Sequence, residues 1–274
     1  MINNRRFFSI VFVLLVSFTL CFSCTSTLQG FDRLNAIAQQ IQQSIQTELD
    51  SLDSDMSVAA SQLVKTGLSG NDARQILNSI CTKYTFVIDC AAANTDGKLV
   101  TVAPDVYRSY EGSDISKQEV TIEFNKTKKP RLSKVFRAVE GFDAVVLIWP
   151  INSDKGEYMG SMSALFKPET LYAAASKNAL QGINAEVMGL QTDGYVIYSI
   201  DANEQGKNLL VDPEYKQYTE LLQLGARFVA EVNGTGTYLF PSSQSGKQMV
   251  KQASWVSLKI RDTEWRVIAV GEGK

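Results

Sequence analysis

Between Phe31 and Lys65 the apolar residues Phe31, Leu34, Ile37, Ile41, Ile45, Leu49, Leu52, Met56, Ala60 and Leu63 recur at steps of three or four. That spacing puts them on a single stripe of one helix. No Gly or Pro interrupts the run, and Gly67 stands where a C-terminal cap belongs. At 1.5 Å per residue the helix would be on the order of 50 Å long. A stripe of that length must be covered. The candidates are packed lobes along the helix or a second copy in a coiled coil, since the steps are close to heptad spacing.

Ahead of the helix the chain reads as an export signal. Arg5 and Arg6 form a basic start, and Phe7 to Phe22 is an apolar run of about sixteen residues, short for a membrane span. It ends in Cys21-Phe22-Ser23-Cys24, followed by Thr25-Ser26-Thr27. A small residue before a Cys at this place resembles a lipobox, so Cys24 is expected to be the lipidated first residue of the mature chain. Cys21 stands where Leu is usual, and a retained anchor or plain secretion are the alternatives. Cys81 and Cys90 remain after processing. Outside the cell such a pair reads as a disulfide, or else as two buried thiols.

Composition removes several functions. The chain has no His, which excludes His-dependent triads, His bases and His metal ligands. Its formal net charge is -2, giving nucleic acid no electrostatic foothold. Gly160-Ser161-Met162-Ser163-Ala164 only superficially matches a nucleophile elbow. Asp201 to Gly206, with Asp212 beyond, is a partial calcium loop without the flanking helices such a loop needs. Neither a metal nor a cofactor is expected.

Beyond the helix the chain reads twice through one pattern. Ser69 to Asp72 opens a short helix to Ile80. Tyr84 to Ala91 and Lys98 to Ala103 form strands about an Asn94-Thr95-Asp96-Gly97 turn. A polar region from Pro104 to Pro130 follows, with Gly112-Ser113-Asp114-Ile115 and a Lys-rich end. Ala144 to Trp149, ended by Pro150, and Tyr158 to Phe166 form the central hairpin. In the latter strand Tyr158, Gly160, Met162, Ala164 and Phe166 share one face. A helix from Pro168 to about Leu180 leads to strands Ile183 to Leu190 and Tyr195 to Ile200 about Thr192-Asp193-Gly194. Then come Gly206-Lys207-Asn208-Leu209, a helix over about Pro213 to Glu231, and strands near Thr235 to Phe240, Val250 to Ile260 and Trp265 to Val270. The shared order argues for two related units.

These residues resemble the extracellular double Cache sensor domain, two PAS-like lobes stacked along one long N-terminal helix. The resemblance rests on Gly112 to Ser116, Val139-Glu140-Gly141, Trp149-Pro150-Ile151, Tyr158-Met159-Gly160, Thr192-Asp193-Gly194, Gly206 to Leu209, Asp212 to Tyr215 and the Trp255 and Trp265 strands. It implies an α+β fold with antiparallel sheets. Its parts would be a signal peptide over 1–23, a lipidated start and stalk helix over 24–66, a membrane-distal lobe over 67–168 and a membrane-proximal lobe over 169–274. The amino-acid-binding form of the family carries an Arg-Pro-Trp-Tyr-like stretch and a late Asp. Here Lys129-Pro130-Arg131-Leu132 stands at the first and Leu165 near the second.

The function this implies is an exported, lipid-anchored sensor without catalysis, outside the cytoplasmic membrane. The expected ligand site is in the first lobe: Lys129 and Arg131 to hold a carboxylate or other anion, with Tyr107, Tyr110, Trp149, Tyr158 and Ser161 about it. The second lobe, with its bulky Trp255 and Trp265 strands, reads as self-filled. No second apolar span follows the second lobe, so a separate membrane receptor, kinase or transporter would read the occupied state. A ligand-free adhesion or scaffold protein is the main alternative, and a secreted hydrolase a lesser one. The Lys-rich stretch also reads as a solvated loop, and the aromatics as core.

Overall fold

A computed structural model describes residues 8–241 and 246–273, with side chains described from residue 30 onward. The export signal and Cys24 lie outside the residues so described. Among the described residues no helix is long and apolar enough to cross a membrane.

Helix α1, Phe8–Thr66, is the spine. Leu34, Ile37, Ile41, Ile45, Leu49, Leu52, Met56, Ala60 and Leu63 are all buried along it. They share one core with Met162, Ala164 and Phe166 of a first sheet and with Leu258, Trp265 and Val267 of a second. The stripe is therefore spent inside the chain, and the helix's other face, with Asp32, Gln39, Gln43 and Glu48, is polar and exposed. The apolar seam that a coiled coil would need is not free.

Helix α2, Asn71–Lys83, leads into the first sheet. Its strands are β1 (Val87–Asn94), β2 (Leu99–Ala103), β3 (Arg131–Leu132), β4 (Phe136–Arg137), β5 (Asp143–Asn152) and β6 (Tyr158–Phe166). They run antiparallel in the order β2-β1-β6-β5-β3, with β4 also on β5. Helix α3, Glu119–Thr127, covers one face. Helix α4, Pro168–Ala179, crosses to the second sheet, β7 (Glu186–Gln191), β8 (Val196–Ser199), β9 (Asn233–Pro241), β10 (Gln248–Ile260) and β11 (Thr263–Glu272), covered by α5, Thr219–Ala230. Its order is β8-β7-β11-β10-β9. The fold is α+β, two antiparallel sheets flanking one long N-terminal helix in a two-lobe PAS-like arrangement.

The repeat extends to single hydrogen bonds. Lys98 bridges Asp114 in the first lobe as Tyr195 bridges Asn208 in the second. Ile115 N–H donates to the Gly97 carbonyl at 2.9 Å, and Leu209 N–H to Gly194 at 2.9 Å.

Three elements depart from the expectation. Helix α3 lies inside the stretch read as a polar region; it buries only Val120, Thr121 and Phe124, too few to write a period. The helix expected from Pro213 is a 3₁₀ turn, Pro213–Gln217, and then α5, broken at Tyr218. Strand β5 does not end at Pro150, which pairs with Ser161. β3 covers β5 only at Leu147 and Ile148, so Pro150 sits at a sheet edge where its missing N–H costs no ladder bond.

The lobes meet at a polar seam. Asp53 of α1 accepts a hydrogen bond from Trp149 Nε1 at 2.9 Å and pairs with Arg261 of the β10–β11 turn. The Arg261 guanidinium lies 4.9 Å from the centre of the Trp149 ring.

Candidate ligand site in the first lobe

The face of the first sheet turned away from α1 carries a cavity of about 60 Å³. Ala91, Ala93, Ser161 and Ser163 form part of its floor, and their short side chains leave the volume open. Val120, Thr121 and Phe124 of α3 form one wall; Phe136, Ala138 and Glu140 form another. Asp89, Val146, Ile148, Tyr158 and Leu165 close the lining. On the corresponding face of the second sheet the space is filled: Trp255 is fully buried there among Leu209, Leu224 and Phe228. A cleft of about 290 Å³ at the lobe junction and one of about 630 Å³ beside Phe31 to Gln42 of α1 are lined by none of the buried, unpartnered polar atoms among the described residues.

Tyr158 faces the cavity because the strand changes phase at Gly160. That residue has φ +146°, and a Cβ there would lie 2.2 Å from the Ala93 carbonyl oxygen. The pairing of β5 with β6 slips at the same place, so Tyr158 joins Ser161 and not Met162. The alternation expected for this strand holds only beyond Gly160.

Asp89 dominates the electrostatics. It is 3% exposed, and its Oδ2 is buried with no hydrogen-bond partner. Burial, with the Glu140 charge adding to it, pushes its pKa up to about 8. Burial also raises Glu140. Among the described residues no Lys or Arg lines the cavity. Lys128 reaches only the ring of Tyr158, 4.2 Å from its centre.

Of the residues expected at the site, Tyr158 and Ser161 line the cavity. Tyr107 and Tyr110 stand beside it on the 3₁₀ turn Asp105–Tyr110, packed on Ala91, Ala93, Leu99 and Val102. The Tyr107 hydroxyl is held above its usual range, first by burial and then by the charges of Asp89 and Glu140. The other three are elsewhere. Lys129 is exposed beyond the end of α3. Arg131 spans from Glu123 of α3, at 3.8 Å, to Asp262 of the second lobe, at 3.6 Å. Trp149 points to the opposite face, onto Asp53. An anion clamp of Lys129 and Arg131 is not assembled: neither lines the cavity, and Glu123 and Asp262 hold Arg131. Leu165, near the place of the late Asp in the amino-acid-binding form, pairs with Asp89 across the sheet. The carboxylate is one strand over. Its signal was a lone charge in the apolar run Val87-Ile88-Asp89-Cys90-Ala91-Ala92-Ala93.

Cys81 near the end of α2 and Cys90 on β1 are free thiols in this structure, their sulfurs 2.8 Å apart. Burial raises the Cys90 thiol.

The fold is a two-lobe PAS-like arrangement with a cavity on the first sheet. Residues 47–168 match the family model described as the HK/GC/Chemotaxis protein-like sensor domain. Among solved structures, an extracellular ligand binding receptor from Desulfohalobium retbaense superposes with a TM-score of 0.74 at 29% identity; the match covers 86% of this chain and 40% of that one. The periplasmic sensory domain of the Campylobacter jejuni chemoreceptor Tlp1 gives a TM-score of 0.65 at 16% identity, over 90% of this chain and 96% of that one. The ligand-binding domain of the Pseudomonas fluorescens chemoreceptor CtaA, in complex with L-serine, gives 0.66 at 13%, over 90% and 98%. This chain thus spans less than half of the Desulfohalobium receptor. No curated protein sequence matches significantly.

Proposed function

We propose that this protein is an extracytoplasmic sensor that binds a small molecule in its first lobe, without turning it over, and passes the occupied state to a separate membrane receptor, kinase or transporter. The observation that carries this is the asymmetry of the lobes: one repeat, with a cavity in the first copy and Trp255 in the second. The family match lies over the first lobe, and the chemoreceptor domains share the fold. In this reading the first lobe is membrane-distal, 67–168, and the second membrane-proximal, 169–274. The chain leaves the cytoplasm on its export signal and is held by lipid at Cys24. The carboxylates in the lining disfavour the anion expected from sequence. They favour a ligand that brings its own positive charge or hydrogen-bond donors.

A thermal-shift screen of organic amines, acids and nucleobases tests the reading. A true ligand raises Tm in the wild type and leaves Ser161→Phe, whose ring fills the cavity, unmoved. Hits that persist undiminished in Ser161→Phe place the site elsewhere, and measurable turnover of a hit makes the protein an enzyme.

Export also predicts a state for the thiols. Cys81 and Cys90, on neighbouring elements, are expected to be joined in protein recovered from outside the cytoplasm. Mass spectrometry after alkylation without reductant would then find neither modified; two alkylated thiols would contradict the pairing.

A further inference from the structure

We propose that the first-lobe cavity exchanges a proton for a small organic cation: the Asp89 carboxyl is protonated while the cavity is empty and releases that proton when an ammonium group docks against it. The inference rests on the ligand-binding reading above and deepens it.

The surroundings of Asp89 supply no counter-charge. Its own strand offers Ala91 and Ala93 on this face. The loop before β5 contributes Glu140, a second acid. β6 contributes the Tyr158 phenol, and the Tyr107 phenol stands near enough to feel both acids. α3 and its approach contribute neutral polar groups, the amides of Gln118 and Asn125 and the Thr121 hydroxyl. Behind the strand lie the thiols of Cys90 and Cys81. Lys128 is beyond the Tyr158 ring. A carboxylate enclosed in this way, with no cation beside it and no hydrogen bond to its Oδ2, is expensive to keep ionised. The neutral acid is the form the empty protein holds, in keeping with a pKa near 8.

An incoming ammonium changes that balance by bringing both the charge and the donors the carboxylate lacks. The exchange is R–NH₃⁺ plus –COOH giving R–NH₃⁺ paired with –COO⁻, plus one proton to solvent; no bond to carbon changes. Glu140 at the half-buried wall adds attraction. The cavity's volume of about 60 Å³ restricts the group that enters to a few heavy atoms. Anions would meet two acids, and neutral acceptors would leave the proton where it is.

Isothermal titration of the full chain with methyl-, ethyl-, propyl- and butylammonium, with acetate and propionamide as controls, tests this. Titrations run at pH 5 to 8, in pairs of buffers differing in ionisation enthalpy. The expected result is binding of at least one alkylammonium, with apparent affinity falling about tenfold per pH unit between pH 7 and pH 5 and about one proton released per ion. Asp89→Asn should lose binding by about a hundredfold or more, together with the pH dependence. Glu140→Gln should weaken binding only several-fold and keep the proton release, which preserves the test if Asp89→Asn folds poorly. Binding without proton release, or binding unchanged in Asp89→Asn, overturns the proposal. So does a failure of every alkylammonium at pH 8. In that last case, a different hit abolished by Ser161→Phe leaves the sensor reading standing while the cation exchange falls. No hit sensitive to Ser161→Phe removes both.

Discussion

Asp89→Asn is expected to raise the melting temperature of the empty protein, and to raise it more at pH 8 than at pH 5. The direction follows from linkage. Asp89 has a folded pKa of about 8, against about 3.9 in an unfolded chain. Below about pH 4 both states carry the proton and the carboxyl costs nothing. As pH rises toward 8 the unfolded state releases the proton while the fold retains it, so stability falls, by about 1.4 kcal/mol per pH unit from this group alone. Above about 8 both states are ionised and the slope ends. Glu140, raised in the same direction by burial, adds to the same trend. Asn keeps the shape and has no such slope, so the two melting curves should coincide near pH 4 and separate as pH rises. A domain of this size moves by roughly 2–4 °C per kcal/mol, so the gap is several degrees by neutral pH. An Asn variant less stable than wild type throughout would mean the ionised carboxylate has a partner after all.

Leu49→Ala is expected to cost about 2 to 5 kcal/mol and to lower both lobes together. Leu49 is 0% exposed at the middle of α1, in the core that takes Phe166 from one sheet and Leu258 from the other. Removing its branched end leaves a void that neither rigid sheet can fill. Because both lobes lean on the same helix, fluorescence and circular dichroism should report one transition, shifted but still single. A loss that depended on protein concentration would instead mark the stripe as an interface between copies.

The long helix, both hairpins and the duplication were legible because each is written in local chemistry. The α1 stripe has a period, the Asn94 to Gly97 and Thr192 to Gly194 turns have their turn residues, and the Gly112 and Gly206 loops recur in order. Helix α3 was not legible: a helix lying over a cavity buries little, so its apolar period is weak. The site was half legible. Ser161 and Tyr158 sit on a strand whose small residues announce free volume. Asp89 is as plain in sequence as Arg131, but burial and lack of a partner are properties of space, and only the fold separates a stranded carboxylate from a paired one. The cations failed for the complementary reason. Arg131 precedes the central strands as expected, yet Glu123 and Asp262 claim its guanidinium, and Trp149 alternates onto the α1 face. Arg131→Ala should therefore leave ligand affinity unchanged.

The claim that the first lobe is the ligand site is tested most directly by hydrogen exchange on the full chain, with and without a ligand found by the screen. The account predicts slower exchange over 87–94, 119–127 and 158–166, the elements around the cavity, with little change over 186–191 and 219–230. Protection confined to the second lobe would contradict it.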